Sequence, residues 1–338
     1  MRRDPRLPRG TVHRLTHDSE ALVDNALGDP TRRELHVYTP PGWSADRDPL
    51  PVLVNLPGFW GSGPGQVAWR AVGENVPERL DRLISSGEMP PVVVAFPDCF
   101  TRLRGNQYIN SVGTGRYADY LVGEIVPFVE EGFSCGGEGR RGLFGKSSGG
   151  YGAAWHAMHR PGFWSAVSAN SADMGFDVHQ LPEFYLALDV LQDHSHSIEV
   201  FFRHFESEPK PSAAERSCLM FCAMSAFYDP DPGAFLSMRL PGDPYTAELD
   251  PERWANWLRH DPVVLLDDHA DDLRGLKALW LDCGSRDQWR MHFGMRRFHR
   301  KLEDRGVPHV YEEFDDDHLE VDYRMDSFLP FLAGALSG

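Results

Sequence analysis

The 338-residue chain predicts an α/β fold, with a mostly parallel central sheet and helices on both faces. Two observations carry the prediction. Short continuous runs rich in β-branched residues, Pro51-Val52-Leu53-Val54-Asn55-Leu56 and Pro91-Val92-Val93-Val94-Ala95-Phe96, suit strands buried on both faces. Between and after such runs lie segments whose apolar residues recur every three or four positions, long enough to be crossover helices.

Taken in order, Glu34 to Thr39 alternates like a half-exposed strand and is stopped by Pro40-Pro41-Gly42. The first buried strand, Pro51 to Leu56, is followed by a helix over Val76 to Ser86, with Leu80, Leu83 and Ile84 in helical spacing and Pro77 tolerated in its first turn. After the second buried strand, Tyr117 to Glu131 reads as a helix disturbed near its end by Pro127. Gly142-Leu143-Phe144 is a strand, Tyr151 to Arg160 a helix closed by Pro161-Gly162, and Phe163 to Ala169 a strand. Leu276 to Leu281 and Val310 to Phe314 are late strands that flank a helix over Arg290 to Arg305, and a final helix covers Tyr323 to Ala335. Residues 171–272 break this rhythm, with scattered histidines (His179, His194, His196, His204), proline-rich breaks and helical fragments around Pro251 to His260. The expected organisation is one domain over 1–338, with 171–272 as an insertion or cap-like excursion bordering the site.

Composition narrows the function classes. A net charge of −16, from 50 acidic and 34 basic residues without a basic stripe, argues against a nucleic-acid surface. No stretch approaches a membrane span, and the start, Met1 to Gly10, carries charge without an apolar core behind it, so a cytoplasmic location is expected. The five cysteines, Cys99, Cys135, Cys218, Cys222 and Cys283, are odd in number and scattered, which fits buried thiols better than a disulfide framework. Cys218 and Cys222 lack a nearby histidine pattern that would make them a zinc site. No metal and no cofactor are expected.

The chemistry concentrates at Gly145-Lys146-Ser147-Ser148-Gly149-Gly150, between the Gly142 strand and the Tyr151 helix. Glycines two before and two after Ser147 remove side chains where strand and helix backbones meet, which leaves its hydroxyl uncovered on a sharp turn. Ser148 has Lys146 where a glycine would be needed. A serine hydroxyl needs a base, and the base an acid to hold its tautomer. His318 and Asp287 follow the ends of the last two expected strands, in the order serine, acid, histidine. Asp282 competes with Asp287 as the acid. Asp315, Asp316 and Asp317 would raise the His318 pKa if close, and burial would oppose them. For the developing oxyanion, the expected donors are the N–H of Ser148, at a helix start, and that of Phe59, after Gly58 in the loop Pro57 to Gly63.

These residues resemble the putative esterase family of α/β-hydrolases, which includes S-formylglutathione hydrolase, enterochelin esterase, feruloyl esterases and the mycolyltransferase antigens. The matching passages are Arg33 to Gly42, Leu56 to Phe59, Gly145 to Gly150, Asp282 to Asp287 and Asp317-His318, and they span nearly the whole chain. The resemblance implies the α/β-hydrolase fold, a Ser147, Asp287 and His318 triad, and oxyanion donors on Phe59 and Ser148. It departs where many members have histidine-glycine in the oxyanion loop and this chain has Pro57-Gly58, and where two glycines usually precede the histidine and this chain has Asp316-Asp317. The segment Pro97 to Asn110 resembles the family's rim loop, which makes Tyr108 and Asn110, together with Trp60, expected substrate contacts for an aromatic or bulky group. The expected activity is serine-dependent hydrolysis of a small-molecule carboxylic ester through an acyl-enzyme. The alternatives are an acyltransferase with the same triad and an inactive hydrolase-fold binding protein; self-association into a homo-oligomer is open.

Overall fold

The computed structural model describes residues 7–338, so Met1 to Arg6 of the charged start lie outside the described residues. An eight-stranded sheet forms the centre. Its strands are β1 (Thr11–Asp18), β2 (Arg32–Thr39), β3 (Val52–Leu56), β4 (Val93–Pro97), β5 (Arg141–Lys146), β6 (Ala166–Asn170), β7 (Ala278–Gly284) and β8 (Val310–Phe314). The spatial order is β1-β2-β4-β3-β5-β6-β7-β8. β1 and β2 run antiparallel to their neighbours and β3 to β8 run parallel, so the expected architecture is observed with a mixed edge. Strands β3, β4, β6 and β7 are buried at every residue, which is why they read as unbroken apolar runs.

β1 is the strand that the apolar pattern does not reveal. Its sequence, Thr-Val-His-Arg-Leu-Thr-His-Asp, is polar at most positions, and it holds its place at the sheet edge by pairing along its full length with β2, from Thr11 opposite Thr39 to Asp18 opposite Arg32. On one face of the sheet pack α2 (Val126–Phe133), α3 (Ser148–His159), α8 (Pro262–Arg274) and α9 (Met291–Asp304); on the other pack α1 (Val76–Ser85) and α10 (Met325–Ser337). The expected helix at Tyr117 to Glu131 is present in modified form. A wide π turn over Tyr120–Ile125 precedes α2, where Pro127 lacks the N–H that regular helical bonding requires.

Residues 171–272 are mainly helical. α4 (Gln180–Leu191), α5 (Ile198–Ser207), α6 (Ala213–Tyr228) and α7 (Pro251–Leu258) bury a separate aromatic core that includes Phe184, Phe201, Phe221 and Trp257 and reaches Tyr151 on α3. Among the described residues no helix is long and apolar enough to cross a membrane. All five cysteines are buried and free, as expected.

Parallel registry aligns the strand ends that matter. Leu56 of β3 lies opposite Gly145 of β5, Lys146 opposite Asn170 of β6, Asn170 opposite Asp282 of β7, and Gly284 opposite Phe314 of β8. The segments that leave these carboxyl ends therefore emerge along one edge of the sheet, where open α/β sheets place ligands.

Candidate active site

Ser147 occupies the turn between β5 and α3 with φ 59° and ψ −125°, a conformation unfavourable for a residue with a side chain. The turn is held by Ser147 N–H donating to Asn170 O (3.0 Å), by the Asn170 amide donating to Gly145 O (3.0 Å), and by Tyr151 N–H donating to Ser147 O (2.8 Å). Gly149 is required by contact. A Cβ there would sit 1.8 Å from Leu56 O and 2.8 Å from Pro57 O, both backbone atoms of the strand and loop opposite. We expect Gly149→Ala to destabilise the protein by about 3 kcal/mol or more, measured by denaturant unfolding, because rigid backbone and not a flexible side chain must move.

The β3 loop comes against this turn. A Cβ on Gly58 would lie 3.2 Å from both Lys146 O and Ser147 Cβ, so the loop backbone sits directly beside the serine. The next N–H, that of Phe59, has no acceptor among the described residues. Ser148 N–H belongs to the first turn of α3, where backbone donors lack intrahelical partners.

His318, past β8, is buried, and its Nδ1 lies 2.6 Å from Asp287 Oδ2, past β7. That bond gives the neutral ring its Nδ1–H tautomer and leaves Nε2 as an acceptor. Asp287 is itself oriented: Trp289 N–H donates to its Oδ1 at 2.9 Å. The histidine loop is pinned by His318 N–H donating to Gln288 Oε1 (3.0 Å) and by Lys146 Nζ donating to His318 O (2.8 Å), while the Trp289 ring stands edge-on to the imidazole. Burial is the largest influence on His318 and lowers its pKa, helped by the charge of Lys146 and against the hydrogen bond and charge of Asp287 and the charge of Asp317, so the acidic run does not raise it. Burial raises Asp287, yet the hydrogen bond and charge of His318 leave it below its ordinary value. Burial also lowers Lys146.

Ser147 and His318 open onto one cavity of about 390 Å³, lined also by Phe59, Trp60, Lys146, Asp173, His179 and Trp289. α6 supplies much of its wall through Arg216, Met220, Phe221 and Met224. Among the described residues no hydrogen bond joins Ser147 Oγ to His318; the hydroxyl instead donates to Asp173 Oδ1 at 3.4 Å.

Other residues singled out from the sequence lie elsewhere. Asp282 accepts from Arg324 Nε (3.1 Å) and Trp280 Nε1 (3.3 Å), with no bond to His318. Tyr108 is buried, and its hydroxyl donates to Pro57 O at 2.5 Å, bracing the β3 loop from behind. Asn110 is exposed in a small hairpin and accepts from Asp119 N–H at 3.1 Å. Of the three expected substrate contacts, Trp60 alone lines the cavity.

Two polar cavity residues were given no role by the sequence: His179, seen only as one of several scattered histidines, and Asp173. His179, fully buried, donates from Nδ1 to Trp289 O (3.1 Å), and burial lowers its pKa to about 4, so it stays neutral. Asp173, just past β6, accepts from Ser148 Oγ (3.2 Å) as well as Ser147 Oγ, and Gln107 Nε2 donates to Ser148 Oγ (2.7 Å). Burial raises Asp173 from 3.8 to about 7, against the bonds from Ser148, Gln107 and Ser147. Its folded pKa exceeds its unfolded one, so the folded state binds the extra proton and loses stability as pH rises from 3.8 to about 7. Asp173→Asn should therefore gain more Tm over the parent at about pH 8 than at about pH 4, with thermal melts at both as the check. No signal in the sequence separates this aspartate from the other acidic residues; only its position past a strand end could have flagged it.

A family model described as "Putative esterase" matches residues 26–328. Similar solved structures include a ferulic acid esterase (19% identity, 97% of this chain and 99% of that one covered, TM-score 0.60). An S-formylglutathione hydrolase from Agrobacterium tumefaciens is similar at 18% identity, with 97% and 96% covered and a TM-score of 0.59. A ferulic acid esterase from Anaeromyces mucronatus, solved in complex with ferulic acid, is similar at 14% identity, with 99% and 94% covered and a TM-score of 0.59. No curated protein matches the chain significantly. At these identities the structural likeness establishes the fold.

Proposed function

This chain belongs to the putative esterase family, and from that premise we propose that it is a serine-dependent carboxylic ester hydrolase working through an acyl-enzyme. One observation carries the reading: His318, held by a buried 2.6 Å bond to Asp287, shares a cavity with a serine on a strained turn.

In the proposed reaction, rotation of the Ser147 side chain moves its hydroxyl from Asp173 to His318 Nε2. Such bonds are often loose before substrate binds. His318 takes the Ser147 proton as Oγ attacks the ester carbonyl, and Asp287 stabilises the imidazolium. The N–H groups of Phe59 and Ser148 receive the tetrahedral oxyanion. His318 then protonates the leaving alkoxide, and a water deprotonated by the same imidazole releases the acid from Ser147. No metal or cofactor is needed for this sequence. The region 171–272 serves as the cap, and the apolar side chains of α6 with Trp60 and Trp289 favour an aromatic or bulky substrate group.

The test combines a fluorophosphonate probe, located by peptide mass analysis, with a panel of esters varied independently on the acyl and alcohol sides. Modification at Ser147 and turnover of at least one ester class are expected. An unlabelled protein that turns over none of the panel would instead be a hydrolase-fold binding protein. Adding a competing alcohol separates hydrolysis from acyl transfer by the product formed.

A further inference from the structure

Within the helical region 171–272, three potential ligands come from three elements. His194 ends a short 3₁₀ turn (Gln192–His194), His204 lies in the last turn of α5, and Glu215 lies in the first turn of α6. One ligand atom from each lies within 4.8 Å of the other two, and all three residues are half-buried. His204 Nε2 is 2.8 Å from Glu215 Oε1, and the His194 and His204 rings are 4.8 Å apart between centroids at 35°.

We propose that His194, His204 and Glu215 form a binding site for a divalent transition metal, with zinc the best match. Two imidazoles and one carboxylate are a zinc donor set, and a half-buried position leaves a fourth place for water. A plain ion pair would need only His204 and Glu215. It does not explain why His194, whose ring nitrogens have no hydrogen-bond partner among the described residues and whose ring packs edge-on to Phe201, brings a nitrogen within ligand distance of both.

The carboxylate is oriented for the task. Its Oε2 accepts Ser212 N–H at 2.7 Å while Ser212 Oγ accepts Glu215 N–H at 3.1 Å. This capping box fixes Glu215 and turns Oε1 toward the histidines, the kind of outer support that ligating carboxylates have. Bonds of about 2.0–2.1 Å set the edge of a zinc tetrahedron at roughly 3.4 Å, so small ring rotations bring the present spacing into range. Binding would tie the 3₁₀ turn and α5 to the start of α6. Ala213, Arg216 and Ser217 beside Glu215 line the cavity, so the metal would stiffen one wall of it without touching Ser147.

The test uses the full chain without an affinity tag, dialysed against a chelator and titrated with Zn²⁺ alone against a chromogenic competitor. One equivalent is expected to bind, and Tm should rise with zinc by mass action. His194→Ala and His204→Ala should each weaken binding at least about a hundredfold and remove the zinc-dependent rise in Tm. His269→Ala, at a histidine outside the cluster, should bind like the parent. Glu215→Gln retains an oxygen for Ser212 and loses the charge, so it should weaken binding even if a histidine variant folds poorly. Absence of stoichiometric binding, or binding unchanged in Glu215→Gln and the histidine variants, overturns the proposal. The outcome is independent of whether the protein hydrolyses esters.

Discussion

Ser147→Ala should abolish fluorophosphonate labelling and lower kcat for any ester substrate by about ten-thousandfold to a millionfold, with the fold intact. The size of the effect follows from the role proposed for the hydroxyl. Without Oγ no acyl-enzyme forms, and what remains is slow attack by water in a cavity that still offers Phe59 and Ser148 N–H to the oxyanion. Stability should change little, because Ser147 is only half-buried and its side-chain bond to Asp173 is long, at 3.4 Å. Circular dichroism and thermal melts check this alongside single-turnover kinetics. A variant that is folded, unlabelled and yet retains parental turnover would move the nucleophile elsewhere.

The second large effect is expected for Asp287→Asn, a loss of about ten-thousandfold in kcat. The amide can donate to His318 Nδ1, which favours the ring tautomer with its proton on Nε2, where a base must be free. The pH profile adds a signed test. In the parent, burial lowers the His318 pKa, so the acid limb of kcat/KM should fall below 6.5. Asp287 opposes that lowering, hence its neutralisation should move the limb further to acid. A purely structural role for Asp287 would reduce kcat without moving the limb. Stability carries the complementary sign. Asp287 has a depressed folded pKa, so its contribution is present above 3.8 and is lost as pH falls through the folded value, a loss the asparagine variant should lack.

The visible parts of the site were those whose neighbours constrain their sequence. The turn at Ser147 needs Gly145 and Gly149 because backbone atoms approach within contact of both, and such crowding leaves a readable pattern. Asp287 was visible because it follows β7, a strand buried at every residue, and His318 because it follows β8, a short half-exposed edge strand whose Val310, Tyr311 and Phe314 still mark it as a strand. The helices of 171–272 were partly legible too. Ser212 and Glu215 stand three residues apart in a capping box at the start of α6, and Asp250-Pro251 and Asp261-Pro262 cap α7 and α8. These local signals were masked by prolines and by helices whose apolar residues surround the whole circumference, as in α6, which shows little periodicity.

Asp173, His179, Tyr108 and β1 show the opposite case. Tyr108 reads as a rim aromatic, but the chain turns it inward to hold Pro57 O, and no spacing rule reports that choice. β1 lacks an apolar stripe because an edge strand draws its stability from main-chain pairing, which every sequence can offer. Asp173 becomes distinctive only when β6 delivers it into a buried position beside Ser147, where desolvation alters its proton affinity. Local sequence therefore determined the strands buried on both faces, the serine turn, and the chain order of Ser147, Asp287 and His318, since each depends on neighbours along the chain. Only the tertiary structure decided which carboxylate meets His318, which one meets Ser147, and which helix walls the cavity, because those contacts join residues far apart in sequence and depend on strand registry and burial.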